Sequence, residues 1–162
     1  MANRNRMILG LVGAALALFK ERDRLAGKTK KPASPTSRRI PTGTVVEYSP
    51  DMDGDADPGE VVWAWVPYED DPSKGKDRPV VIIGTCSDGL AGVPLTSKNR
   101  GHGAVLVGSG GWDRTGRPSY AKVDQLIVVG QGDVRREGSI LDRQRFDAVV
   151  AGVADHHRLS RR

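Results

Sequence analysis

What most constrains this chain is a series of short apolar runs after Pro58, each cut off by proline, glycine or a polar stretch. Val61–Val66 is β-branched and aromatic, and Pro67 ends it. A polar loop from Tyr68 to Asp77 leads to Val80–Ile83, a continuous apolar run of the kind found in strands buried on both faces. Gly89–Gly92 reads as a flexible link before the strand Val93–Thr96, and Ala104–Val107 is another short strand. Gly108–Pro118 is a long loop rich in glycine and arginine, after which Ser119–Val129 returns as strand with a break at Asp124-Gln125. Glu137–Leu141 fits strand or turn equally. Asp142 can cap a helix that begins at Arg143. In that helix Phe146, Val149, Val150 and Val153 make one apolar stripe. About five short strands closed by one amphipathic helix predict a mainly β (α+β) domain, a small barrel with a helix on its side.

The domain occupies only part of the chain. Its 162 residues leave room for one ordinary domain with appendages. Charge is unevenly spread: residues 1–40 carry ten Lys/Arg and two acids, whereas residues 41–57 carry five acids and no base. Most of the basic excess therefore precedes the domain, and the overall pI says little about what the domain binds. Residues 1–24 form an apolar helix with basic flanks, whose core Met7–Phe19 is shorter than the roughly 20 residues of a bilayer span. A short or interfacial membrane anchor, an uncleaved or misread signal segment, a helix packed on protein and an artefact of the assigned start codon are the readings open there. Residues 25–57 read as a Pro/Ser-rich and then acidic linker, 58–154 as the barrel domain and 155–162 as a basic tail.

Several chemistries are poorly supported. The single cysteine, Cys86, has no partner for a disulfide within the chain and reads as a small apolar strand residue. Three histidines, two of them adjacent at His156-His157, offer no metal-ligand spacing, and no phosphate loop or nucleophile elbow is present. The aspartates from Asp51 to Asp57 miss the glycine and glutamate positions of a calcium loop, since Ala56 and Val62 stand there. Glu69-Asp70-Asp71 reads as a solvated loop edge that would repel a phosphate backbone if it lined a binding groove.

Arg78, Thr96 and Ser97 remain, with the arginines of the long loop. A guanidinium set by Pro79 at the mouth of a rigid strand never loses its proton and can hold a phosphate with two N–H bonds. RNA carries a 2′-hydroxyl that can attack its neighbouring phosphorus, and the transition state gathers negative charge on the non-bridging oxygens. One preorganised donor aimed at such charge is worth about 3–4 kcal/mol. The Thr96 hydroxyl can bind a phosphate oxygen or orient the nucleophile, although alone it is a weak base. The competing reading pairs Arg78 with Asp77 or a loop carboxylate and treats Thr96 as an ordinary strand residue.

Four segments resemble the PemK/MazF-like toxins of type II toxin-antitoxin systems. Gly59-Glu-Val-Val-Trp63 is similar to the family's opening strand, and Arg78-Pro79 with its apolar strand matches the motif that bears the catalytic arginine. Val93-Pro-Leu-Thr-Ser97 matches the segment of the partner threonine, and Val123-Asp-Gln-Leu126 the strand before the terminal helix. The match spans about residues 58–154. The resemblance implies an SH3-like antiparallel barrel that dimerises, binds single-stranded RNA in a groove and is inhibited by a cognate antitoxin. It implies catalysis by Arg78 and Thr96 with neither metal nor cofactor. Ser97 and Lys98 are expected to contact RNA, and Arg114 and Arg117 to lie on phosphates; for Trp112, stacking on an unpaired base and a core or dimer contact are equally open. RNA as substrate implies a cytoplasmic domain, whether free or tethered through residues 7–19. Two other readings stay open: a non-catalytic binding module, and a topoisomerase-directed toxin on the related CcdB-like fold.

Overall fold

The computed structural model describes residues 40–157. The apolar segment 1–24, with its possible anchor, and the last residues of the basic tail lie outside that range. Eight strands and one helix follow in order: β1 (Val45–Val46), β2 (Glu60–Pro67), β3 (Gly75–Cys86), β4 (Gly89–Thr96), β5 (Ala104–Gly108), β6 (Ser119–Lys122), β7 (Ile127–Val129), β8 (Val134–Ile140) and α1 (Arg143–His157). Every strand pair is antiparallel.

β3 lies deep in the sheet because both of its faces are needed. Val81 and Ile83 join Val61 and Val93 on one face, where Phe146, Val149, Val150 and Val153 of α1 complete the core. Val80 and Ile82 face the other way, with Val62, Leu90, Ile127 and Val129. Alternation on the strand thus feeds two clusters, which is why Val80–Ile83 shows no polar alternation. Asp142 accepts a hydrogen bond from the Arg145 N–H at 3.0 Å and caps α1.

Four expectations are corrected. The barrel does not close: the path β5-β6-β4-β3-β2-β8 ends on two strands that do not pair with each other. The apolar stripe of α1 covers the inner face instead. Gly89–Gly92 is not a flexible link but the first half of β4, paired with β3 and β7. Gly92 is small for a packing reason, since a Cβ there would lie 2.5 Å from Val80 Cγ1.

The described part of the presumed linker, residues 40–57, is packed against the domain. β1 pairs with the end of β3, where a Cβ on Gly84 would collide with the Val45 carbonyl. The Tyr48 hydroxyl donates to the Leu141 carbonyl at 2.9 Å, and its ring meets Phe146 edge-on at 4.9 Å. Ala56 is buried, and its backbone exchanges two hydrogen bonds with the Gln131 side chain. Finally, α1 runs to His157 and takes up the start of the basic tail. His156 and His157 place their Nε2 atoms 3.0 and 3.1 Å from the carbonyls of His102 and Val123.

Candidate active site

The site opens where two strands part. β3 and β4 pair from Cys86↔Gly89 up to Val80↔Pro94, and there the ladder stops. Proline has no N–H to extend it. Beyond that point β3 stays with β2, through Ala64↔Arg78, while β4 turns to β6, through Leu95↔Ala121 and Thr96↔Tyr120. Continuing the lost register by two residues sets Arg78 opposite Thr96. The two side chains line the walls of a single cleft of about 290 Å³ in this fork.

Arg78 is half-buried, and that burial is the main influence holding its pKa below the ordinary arginine value; Tyr68 opposes the shift and the charge of Arg100 adds to it. A guanidinium stays protonated through such a shift. Among the described residues no carboxylate pairs with it. The neighbouring Asp77 reaches Arg135 instead, at 3.7 Å. A half-buried cation without an anionic partner, beside a second cation, has the charge and donors to hold an anion.

Thr96 Oγ1 accepts the Lys98 N–H at 3.2 Å. That bond fixes the hydroxyl and leaves its proton free to donate into the cleft. Ser97 and Lys98 also line the cleft, as do Lys76 and Arg100, neither of which stood out in the sequence. Lys76 shares the face of Arg78, two residues away on β3. That spacing was the available signal. Arg100 follows β4 in an irregular segment that gave none.

The long β5–β6 loop closes one end of the cleft with Trp112, Asp113 and Arg117. Trp112 takes the packing alternative: it is 2% exposed, belongs to the core and donates from Nε1 to Ser119 Oγ at 3.1 Å. Its ring is committed to packing and cannot stack on a base. Arg117 does face the cleft, held at 3.4 Å from Asp113. Arg114 is exposed and does not line it. The feared acidic loop stays out of the cleft as well: Glu69 binds Lys122 at 2.8 Å, and Asp71 binds Lys74 at 3.1 Å. Five cationic side chains against two carboxylates remain in the lining. Among the described residues no three His, Cys, Asp or Glu side chains gather as a metal site.

An open antiparallel sheet backed by one helix, with an arginine and a threonine lining one cationic fork, defines a mainly β protein with a cationic cleft. Residues 57–157 match the family model described as PemK-like, MazF-like toxin of type II toxin-antitoxin system, and the chain belongs to that family. Among solved structures, the chain is similar to the Mycobacterium tuberculosis toxin MazF-mt6, with 21% identity, coverage of 62% of this chain and 98% of that one, and a TM-score of 0.48. No curated protein matches it.

Proposed function

We propose that this chain is the toxin of a toxin-antitoxin pair and acts as an endoribonuclease on single-stranded RNA. The observation that carries the reading is Arg78, half-buried and without a carboxylate partner among the described residues, across one cleft from the Thr96 hydroxyl. In the reaction the 2′-oxygen loses its proton and bonds to phosphorus. The bond from phosphorus to the 5′-oxygen breaks, and that oxygen takes up a proton. The products are a 2′,3′-cyclic phosphate and a free 5′-hydroxyl. The nucleophile belongs to the substrate, so the mechanism needs no metal-bound water.

Arg78 stabilises the charge on the non-bridging oxygens with paired N–H donors. Thr96 donates to a phosphate oxygen and holds the 2′-hydroxyl in line. Ser97, Lys98 and Arg117 hold the flanking backbone. Family membership supports a cognate antitoxin that competes for the same cationic cleft, and a homodimer as the working form. An RNA substrate puts the domain on the cytosolic side of any membrane.

The test is cleavage of a long RNA in EDTA, with sequencing of the new 5′ ends. Wild type should cut at defined positions. Arg78→Ala and Thr96→Val should each lower the rate by at least about 100-fold, with melting temperature unchanged. Cleavage that survives both substitutions would sink the assignment. The absence of any cut by wild type would favour a binding module.

A further inference from the structure

Asp113 is out of place in a cleft built for phosphates. Asp77, the other carboxylate there, is half-exposed and spanned by Arg135 at 3.7 Å. Asp113 is only 17% exposed and is locked in orientation. Its Oδ1 accepts two hydrogen bonds from Thr115, from the backbone N–H at 2.8 Å and from the hydroxyl at 2.6 Å. Its Oδ2 has one long contact, 3.4 Å from Arg117 Nε. That guanidinium also donates to Thr115 Oγ1 at 2.8 Å and lies mostly in solvent, so the pair is weak and yields easily. In the lining of the cleft it shares with Arg78 and Thr96, Asp113 thereby presents an oriented carboxylate with one weakly held oxygen. A phosphate is repelled by it, whereas the donor-bearing edge of a base is attracted.

We propose that Asp113 is a specificity residue that reads one base of the RNA, accepting from an exocyclic amino group on its Watson–Crick edge and rejecting uracil. This inference rests on the proposed nuclease function. Guanine, cytosine and adenine each present an amino group on that edge. Uracil has none, and its one N–H lies between two carbonyl oxygens that a carboxylate repels. Single-stranded RNA is commonly read through such edges, and aspartate is a known acceptor for base amino groups. A hydrogen bond to a charged acceptor supports about 10- to 100-fold discrimination. Hydrogen bonds from Thr115 hold the Asp113 pKa below the usual carboxylate range, which keeps the acceptor ionised at neutral pH.

The experiment is cleavage of a randomised RNA pool by the full chain, with the base composition around each cut determined by sequencing. Wild type should show one position depleted of uracil by at least tenfold. Asp113→Asn keeps the oxygen that Thr115 needs but replaces the charge with an amide, and the depletion should vanish. Asp113→Ser should do the same with a shorter side chain. If a variant binds without cutting, competition between 2′-O-methyl oligonucleotides that differ only in cytosine or uracil at that position reads the same preference. An unchanged uracil profile in both variants, or a wild type that cuts without any such depletion, overturns the role of Asp113 while the nuclease reading stands. A wild type that cuts no RNA removes both.

Discussion

Replacing Arg78 by lysine separates charge from geometry. Lysine keeps one positive charge near the cleft but loses the planar fork that meets two phosphate oxygens at once. Arg78→Lys is therefore expected to bind RNA nearly as well as wild type and to cleave it about 10²-fold more slowly, a split visible as a fall in kcat with little change in KM. A second expectation concerns Asp57. Burial raises its pKa in the folded state, with Asp53, Asp51, Asp55 and Glu47 adding to the effect. The folded chain then binds that proton more tightly than the unfolded chain does. Its contribution favours folding below the unfolded pKa and is lost as pH rises through the folded value. Asp57→Asn should raise the melting temperature at about pH 7 and make no difference at about pH 3, as thermal scans at the two pH values would show. Arg78 and Thr96 were legible in the sequence because each lies within two residues of a strand proline, Pro79 in β3 and Pro94 in β4, in a segment that resembles the toxin family. Asp113 was not, since its orientation depends on a loop anchored by the burial of Trp112, and loop folding leaves no periodic trace.

Among the elements, β4 shows how packing overrides local propensity. Gly92 lies where Val80 crosses beneath it, and an alanine methyl at 2.5 Å from Val80 Cγ1 cannot be accommodated without moving the core. Gly92→Ala should cost about 1–3 kcal/mol in urea denaturation, despite the better strand propensity of alanine. The strands read most readily were those with apolar runs, β2, β3 and the second half of β4. β8 was ambiguous because Val134–Ile140 is held by its ladder to β2 more than by pattern, with register shifts at Val61/Val62 and Trp63/Ala64. β1 escaped notice for a related reason. Two residues paired to β3 beside a glycine carry too little sequence to announce a strand. The start of the helix and its buried face were legible, because a cap and a four-residue stripe are both local signals; its end at His157 was not.

For the molecule as a whole, the five cations of the fork set how RNA binding responds to salt. If all five contact phosphates, the slope of log affinity against log salt approaches about −3.5, and Arg78→Ala should make it shallower by about 0.7. Fluorescence anisotropy with a non-cleavable oligonucleotide measures both. A slope near zero would show that the cleft does not hold a phosphate backbone.

The Tyr48 contacts have a practical consequence for anyone shortening the gene. The family resemblance starts at residue 57, and a cut made there looks natural. It would nevertheless remove the aromatic lid from Phe146, the cation–π contact of Arg143 and the proton donor of the Leu141 carbonyl in one stroke. A clone that starts upstream of Tyr48 should therefore melt at a higher temperature than one trimmed to residue 57, for reasons unrelated to activity.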